Sequence, residues 1–435
     1  MKTLTKIVYP ALALLALDCF ALLQRAQAVV PAPDGGYPGG NTAEGQAALL
    51  SLTTGGFNTA AGWLSLRSIT TGSFNTAIGA GTLFANTADN NTATGAAALL
   101  FNTTGFNNTA VGATALLNNT EGRNNTATGF QTLRNNTTGG DNTATGRSAL
   151  FSNTTGAINT ANGFDALFSN TTGIANTATG DLALLSNTTG DANTANGASA
   201  LRANIFGDNN TAIGTSALFS NTAGAFNTAV GVEALFSNTI GNNNTALGFS
   251  AGLNQTTGGN NVYIGAGISG VAGESDACYI GSIFGQTSAS GTPVLINSSN
   301  KLGTTTSSKR FKEEIKPMDK ASKALLALKP VTFRYKKEID PAGTSQFGLV
   351  AEEVEKVNPD LVVRDQEGKP YSVRYDQVNA MLLNEFLKEH RKNERQEATI
   401  MRLEKQIEAL AADLQKVSAQ LELSKPAPQT VFNSR

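Results

Sequence analysis

The stretch NTATGRSALFSNTTGAI, residues 142–158, decides the fold because it is one copy of a unit that fills most of the chain. The unit reads NTAxGxxALxxNTTGxx and recurs every 17 residues, with one step of 16 between Asn75 and Asn91. Its ninth position is Leu in twelve successive copies, from Leu49 to Leu235. A degenerate copy begins at Asn261, and a last one ends at residues 279–281. The Asn-Thr-Ala triplets begin at Asn41, Asn58, Asn75, Asn91, Asn108, Asn125, Asn142, Asn159, Asn176, Asn193, Asn210, Asn227 and Asn244.

Such regularity predicts a stack of coils, because one unit is too short and too polar to bury a core alone. Stacking places Leu on Leu and Asn on Asn, and stacked Asn side chains can hydrogen-bond along the stack. Thr, Val and Ile in the NTAxG segment favour strand, and the two Gly positions suit tight corners. We therefore predict a β-roll or β-solenoid shaft over residues 41–281, in which fifteen coils span ~70 Å at one strand spacing each.

The repeat resembles the head repeats of trimeric autotransporter adhesins, and Asn261-Val262-Tyr263-Ile264-Gly265 is the nearest local match to that family's NSVAIG-type segment. The family's unit is shorter, and its inward Val corresponds mostly to Thr in this chain. The resemblance implies a left-handed β-roll and trimeric packing.

The N-terminus has the features of a secretory signal peptide over residues 1–28. A basic start precedes the apolar stretch 7–23, and Ala26-Gln27-Ala28 forms a small-x-small cleavage site. An uncleaved membrane anchor is the alternative, but Pro10 and Asp18 inside the apolar stretch argue against it. We predict cleavage after Ala28, a linker over 29–40, a secreted or cell-surface location, and membrane contact only through the signal peptide.

Composition excludes several classes of function. A net charge of −1 gives no reason to expect nucleic acid as a partner. The shaft contains 5 basic and 11 acidic side chains and no lysine, so it shows no catalytic constellation. His390 is the only histidine and Cys278 the only cysteine after cleavage, so neither a His- or Cys-built metal site nor an intrachain disulfide is expected. We predict no cofactor, and expect Cys278 to be a small buried residue.

After a Ser/Thr/Gly-rich connector over 282–306, the repeat is replaced by a charged segment with alternating elements. Residues 319–328 carry apolar side chains at helical spacing, 330–335 and 347–350 are predicted strands, and 351–357 a short helix. Residues 361–363 and 371–373 are expected to pair across a turn at Glu367-Gly368. This pattern predicts a small α+β domain.

Four stretches carry a second resemblance, in order and spacing: SSKRFK at 307–312, LLALKPVTFRY at 325–335, FGLVAEEVEKVNPDLV at 347–362, and Tyr375 before a long helix. They are similar to the peptidase S74 family, the intramolecular chaperones of endosialidases and phage tail spikes. The resemblance implies a domain over 307–375 that trimerises and helps to register the β-fibre before it. Many members then cut themselves free.

In that family the cut uses an S-D-x-R-x-K motif. The resemblance makes Ser307 the nucleophile, Lys312 the base and Arg310 the motif arginine, and Ser308 stands where the family has Asp. A serine hydroxyl needs a base, and a desolvated lysine with a depressed pKa can serve as one. The reaction would occur once per chain, at a peptide bond beside Ser307. The alternative is that Ser307 lies in a plain loop and Lys312 is an exposed basic residue.

Residues 376–424 are predicted to form one long helix with heptad spacing, followed by a tail over 425–435. Association as a coiled coil is favoured by the distal spacing, and folding back on its own domain is the alternative. The two core rows are Leu382, Glu389, Gln396, Leu403, Leu410 and Val417, and Phe386, Asn393, Ile400, Ile407, Leu414 and Leu421.

Together these features predict a secreted or surface-bound homotrimeric fibre, assembled with help from its C-terminal chaperone domain, with an unidentified surface glycan or host ligand as a further partner. Two alternatives stay open. The shaft is a monomeric solenoid whose Thr rows bind glycan or ice, or the main act of the protein is a single self-cleavage at Ser307.

Overall fold

The computed structural model describes residues 37–286, 288–289 and 291–424. The predicted signal peptide, most of the 29–40 linker and the 425–435 tail lie outside the described residues. One compact unit lies before Ser288 and a second begins there. The predicted fold class is confirmed: a parallel β-solenoid is followed by small sheets and a long C-terminal helix.

The solenoid is one parallel sheet of 15 three-residue strands, each paired with the strand of the next coil. The register advances by one repeat, so that Thr126 pairs with Thr143 and Ala127 with Ala144. The strands are β1 Thr42–Glu44, β2 Thr59–Ala61, β3 Thr76–Ile78, β4 Thr92–Thr94, β5 Thr109–Val111, β6 Thr126–Thr128, β7 Thr143–Thr145, β8 Thr160–Asn162, β9 Thr177–Thr179, β10 Thr194–Asn196, β11 Thr211–Ile213, β12 Thr228–Val230, β13 Thr245–Leu247, β14 Val262–Ile264 and β15 Cys278–Ile280.

In most coils the core of the solenoid is built from two alanines and one leucine, and Ser65, Thr82 and Thr132 take the place of the second alanine in three coils. In the coil of residues 142–158 the two alanines and the leucine are Ala144, Ala149 and Leu150, all fully buried. The expectation that the Thr of the NTA triplet takes the inward place is wrong. Successive strand residues point to opposite faces, so the middle residue of a three-residue strand enters the core and its neighbours point outward.

The same alternation corrects the prediction for Cys278, which is exposed rather than buried. Cys278 is the first residue of β15, in the outward place, whereas Tyr279 in the middle packs against the core.

Two ladders of buried asparagine run along the solenoid, as the stacking argument predicted. In the first, Asn125 donates from its backbone N–H and its side-chain amide to Asn108 Oδ1, at 3.0 and 3.1 Å. In the second, Asn136 Nδ2 donates to Asn119 Oδ1 at 2.7 Å. Because each amide both donates and accepts, every coil is hydrogen-bonded through its interior to the next.

The first ladder comprises Asn41, Asn58, Asn75, Asn91, Asn108, Asn125, Asn142, Asn159, Asn176, Asn193, Asn210, Asn227, Asn244 and Asn261. The second comprises Asn86, Asn102, Asn119, Asn136, Asn153, Asn170, Asn187, Asn204, Asn221 and Asn238.

Each coil holds several residues in the left-handed backbone region, and not all are glycine. In the coil of residues 142–158 they are Gly146, Ser148, Leu150 and Ile158, with φ of 126°, 55°, 51° and 60°. This conformation costs a residue other than glycine roughly 1–2 kcal/mol. The N–H of Leu150 bonds to the Ala166 carbonyl in the next coil, and those of Ser148 and Ile158 bond to the preceding coil. The strained residues are therefore held in place by both neighbouring coils.

Tyrosines replace alanine in the core at the C-terminal end of the solenoid. Tyr263 is fully buried, and its ring stacks on Tyr279 with centroids 5.7 Å apart. The Tyr263 hydroxyl donates to Gln255 Oε1 at 3.3 Å, and the Tyr279 hydroxyl donates to Glu274 Oε2 at 2.7 Å. Burial, with a smaller contribution from the Glu274 charge, raises the pKa of Tyr263 to about 12. These residues close the end of the core.

The predicted 282–306 connector contains a hairpin that the sequence analysis missed. Strands β16 Val294–Ile296 and β17 Leu302–Thr304 pair antiparallel. The Asn297 side chain shapes the turn by accepting hydrogen bonds from the backbone N–H groups of Ser299 and Lys301, at 3.0 and 2.9 Å. The apolar run before this turn is short, so the Ser/Thr/Gly-rich surroundings masked it.

The rest of the second unit follows the predicted α+β order. The 351–357 helix and the hairpin across Glu367-Gly368 are confirmed, while the helical spacing of 319–328 produces a shorter 3-10 helix. The elements are the 3-10 helices Lys309–Phe311, Ala321–Ala327 and Pro359–Leu361, the strands β18 Val331–Phe333, β19 Gln346–Gly348, β20 Val362–Arg364 and β21 Pro370–Val373, and the helices α1 Ala351–Val357 and α2 Tyr375–Leu423.

Candidate processing site and assembly surfaces

The predicted processing motif lies on a short exposed turn. Ser308 precedes the 3-10 helix Lys309–Phe311, whose hydrogen bonds run from Phe311 N to the Ser308 carbonyl and from Lys312 N to the Lys309 carbonyl, each 3.1 Å. The Arg310 guanidinium lies 4.6 Å from the centroid of the Phe311 ring. All residues from Ser307 to Lys312 are exposed.

The single chain does not bring the predicted nucleophile and base together. Among the described residues, no hydrogen bond joins the Ser307 hydroxyl to the Lys312 ammonium group. A lysine becomes a general base when burial disfavours its charged form, and Lys312 is exposed here. Activation of Ser307 in this geometry therefore needs a further surface that covers the turn.

A different serine–lysine contact is formed in the second unit. The Ser322 hydroxyl is buried, donates to the Glu385 carboxylate, and accepts from Asn384 Nδ2 at 2.7 Å and Lys388 Nζ at 3.0 Å. Lys388 also pairs with Glu385 at 2.6 Å, and these hydrogen bonds to Lys388 and Ser322 lower the pKa of Glu385. Because Lys388 is ion-paired with Glu385 and hydrogen-bonded to Ser322, this cluster is suited to holding α2 against the 3-10 helix Ala321–Ala327. Ser322 is more than sixty residues from its partners on α2, so no local sequence pattern predicts the cluster.

The second unit has a small core and many exposed apolar side chains. Its buried hydrophobic residues are Val354, Leu361, Val362, Val373 and Met381. By contrast Phe347 is 82% exposed and Leu326 77% exposed. Small domains with so little buried apolar surface usually need a further stabilising contact, and oligomerisation is one of the common kinds.

The start of α2 packs on its own domain through Met381 and Val378, so the fold-back alternative holds for this part alone. Farther along, both heptad rows are exposed, and Leu414, for example, is 74% exposed. The exposed apolar heptad residues are Leu382, Phe386, Ile400, Leu403, Ile407, Leu410, Leu414, Val417 and Leu421. An amphipathic helix of this kind offers a ready surface to a partner helix.

The outer strand face of the solenoid is a regular threonine array. The first strand residue is Thr in thirteen successive strands, from Thr42 to Thr245, and each pairs with its equivalent in the next coil. Within the described part of the chain, no group of three or more His, Cys, Asp or Glu side chains is placed to hold a metal ion. No described helix combines the length and apolarity needed to span a bilayer.

Comparison with known proteins locates the similarity at the second unit. The model of the family described as "Chaperone of endosialidase" matches residues 307–363, which run from Ser307 through α1 into β20. None of the solved structures matches this chain, and neither does any curated protein. Residues 307–363 are therefore similar to the endosialidase-chaperone family, and they follow a parallel β-solenoid in the same chain.

Proposed function

We propose that this protein is an exported homotrimeric fibre of the tail-spike type, whose shaft is the solenoid and whose C-terminal domain drives assembly. The observation that carries the proposal is the exposure of both heptad rows in the distal half of α2, from Ile400 to Leu421, in the single chain. Burying these rows between three identical helices removes apolar surface from water at about 25 cal/mol per Å².

The repeat itself gives a reason for a chaperone domain. Neighbouring coils are nearly identical, so chains that associate through their shafts have many registers of similar energy. A coiled coil that follows the shaft in every chain raises the effective concentration of the chains and aligns equivalent residues. Assembly then propagates from that point along the repeats.

Self-cleavage beside Ser307 is a further part of the proposal. In the assembled protein, a neighbouring chain covers the exposed turn at Ser307 and Lys312, removes water from the lysine, and lets it accept the serine proton. The serine oxygen then attacks the adjacent peptide carbonyl to form an ester while the amine leaves with that proton. Water hydrolyses the ester, which separates the two fragments and restores the serine hydroxyl. The support is the family match, which begins at Ser307.

Mass spectrometry of the exported protein under native and denaturing conditions tests these points together. The proposal predicts a native mass of three chains and, after cleavage, two denatured fragments that meet at Ser307. The 435-residue chain has a mass of 45.0 kDa with the predicted signal peptide included. A native mass of one chain would overturn the trimer, and a single full-length denatured species would overturn self-cleavage.

The threonine array supports a second candidate function, in which a single solenoid binds glycan or ice. The supporting observation is the outward, in-register row from Thr42 to Thr245. A glycan array and a thermal-hysteresis measurement would test it, with Thr143→Lys and Thr160→Lys expected to abolish binding. Activity at a one-chain mass would favour this candidate over the fibre.

A further inference from the structure

The tenth position of the repeat forms a stripe along the solenoid that contains only leucine, phenylalanine and arginine. From Arg67 to Phe236, each residue of the stripe accepts a backbone hydrogen bond at its carbonyl from the preceding coil, as Phe151 does from Asn135 N at 3.1 Å, so these side chains are stacked in register. The stripe consists of Leu50, Arg67, Phe84, Leu100, Leu117, Arg134, Phe151, Phe168, Leu185, Arg202, Phe219, Phe236 and Leu253.

The stripe has a period of four coils. Arginine recurs at Arg67, Arg134 and Arg202, and each arginine is followed by a phenylalanine one coil later. The guanidinium carbons lie 5.4, 5.7 and 5.5 Å from the centroids of those rings. Where a second phenylalanine follows, as in Phe151–Phe168, the rings stack 5.0 Å apart. The stripe residue is therefore apolar in three coils of every four.

The stripe is incompletely covered within one chain. Leu50 is exposed and the other twelve residues are half-buried. The Nε atoms of Arg134 and Arg202 are buried without a hydrogen-bond partner among the described residues, so these guanidinium groups rest on phenylalanine faces rather than on carboxylates. Phenylalanine and arginine are enriched in protein interfaces, where lysine is depleted, and the shaft has no lysine.

We infer that the stripe is the surface through which the shafts of identical chains pack against each other, stripe on stripe. This inference rests on the proposed homo-oligomeric fibre and names the contact within it. The occupant is a second copy because only a partner with the same axial repeat can match a row of side chains spaced by one coil over thirteen coils. Closed rotational symmetry places equivalent residues at the same height.

The arginine layers set the electrostatics of this contact. At one height, the guanidinium groups of neighbouring chains repel each other, and the aromatic ring beneath each offsets only part of that cost. When one chain slides along its neighbour by four coils, about 19 Å, the same pairs of residue types face each other again. The stripe alone therefore cannot distinguish registers that differ by four coils, and the C-terminal domain has to select the correct one.

Single-cysteine variants of the full chain test the contact, in a Cys278→Ser background. Phe168→Cys and Leu185→Cys lie on the stripe, and Asn162→Cys is the control on the outer strand face, close in the same shaft. With a short bismaleimide, we expect both stripe variants to give covalently linked chains at a native mass of several chains, and the control to remain unlinked. If the protein assembles but neither stripe variant cross-links, the proposed stripe contact is wrong, while the proposed fibre is unaffected. A one-chain native mass overturns both.

A charge test provides an independent readout. Arg134→Leu with Arg202→Leu should stabilise the assembled shaft and reduce its dependence on added salt, because the like-charged layers are gone. Arg147→Leu is the matched control, since Arg147 stacks on Phe164 at 5.4 Å but lies outside the stripe. Equal salt dependence in the double variant and the control would contradict stripe-on-stripe packing.

Discussion

Asn125 and Asn136 donate their side-chain amides to one oxygen, the main-chain carbonyl of Gly139, at 2.9 and 2.8 Å. Asn125 belongs to the first ladder and Asn136 to the second, so this carbonyl joins the two ladders within the coil, as the Gly156 carbonyl does for Asn142 and Asn153 in the next coil. The same geometry explains why residue 139 is glycine. An added Cβ at Gly139 would overlap the Gly156 carbonyl and lie 2.5 Å from Asn136 Oδ1. The shaft is thus stabilised by a continuous polar network beside its narrow apolar core.

Breaking the second ladder should destabilise the shaft. Asn136→Ala leaves Asn119 Oδ1 buried without its donor and removes one bond to Gly139, which we expect to lower the free energy of unfolding by about 2–3 kcal/mol. Denaturant unfolding followed by circular dichroism measures the loss. Asn162→Ala, on the outer strand face, should change stability by less than about 0.5 kcal/mol. Equal effects would show that the ladder does not stabilise the fold.

Adjacent glycines offer a sharper comparison. Gly139→Ala should lower the unfolding midpoint strongly, because the new methyl group meets backbone atoms of the next coil and the ladder. At Gly140 the nearest atom, the Arg123 carbonyl oxygen, lies 3.1 Å from the added Cβ, so Gly140→Ala should have a much smaller effect. Thermal melting of both variants checks the order, and a reversed order would contradict the packing described for the coil corner.

The tyrosines that close the shaft should make its end sensitive to alkali. The pKa of Tyr263 is about 12, whereas an exposed tyrosine titrates near about 10. Its folded pKa is raised, so the stability contributed by the neutral ring is intact below about pH 10 and is lost as pH rises toward about 12. Tyr263→Phe should remove this loss when melting is followed from about pH 8 to about pH 12. Tyr371→Phe, at an exposed site, should retain it.

Self-cleavage, if it uses the family motif, should depend on Ser307 and Lys312. Ser307→Ala and Lys312→Ala should each leave only the full-length chain on a denaturing gel. Ser322→Ala removes the buried serine of the other Ser–Lys contact and should lower domain stability by about 1–2 kcal/mol without blocking the cut. If a folded Ser322→Ala protein is not cleaved while Ser307→Ala is, the nucleophile is Ser322, and the assignment of Ser307 is contradicted.

Polar substitutions on the exposed heptad rows separate assembly from folding. Ile407 and Leu414 are 64% and 74% exposed in the single chain, so Ile407→Asn with Leu414→Asn should leave the melting of a dissociated chain unchanged. The same pair should weaken self-association by at least tenfold, since two buried apolar layers of a coiled coil are lost. Sedimentation velocity over a dilution series measures the shift. Glu408→Gln, on another helix face, is the control.

The solenoid could be predicted from sequence because its signal is periodic. The spacing of Asn41 and its successors fixed the coil length, and the column from Leu49 to Leu235 fixed the core leucine. The inward Ala and the outward Cys278 could not be read from composition, because a strand of three residues gives too short an alternation to set its phase. Left-handed leucines such as Leu150 were equally hidden, since only contact with both neighbouring coils allows them.

In the C-terminal unit, local features were accessible and long-range ones were not. The helix Ala351–Val357 and the hairpin at Glu367-Gly368 have local signals in their periodicity and turn residues. The Ser322 cluster joins residues far apart in the chain, so no local sequence pattern predicts it. The leucine, phenylalanine and arginine stripe was visible in principle, but only when the tenth positions of all repeats are aligned as one column.

The most direct test of the account is sedimentation equilibrium of the full chain over a wide concentration range. We predict a species of three times the mass of one chain that persists on dilution and dissociates when heptad residues such as Ile407 are made polar. A protein that sediments as a single chain at every concentration would contradict this prediction.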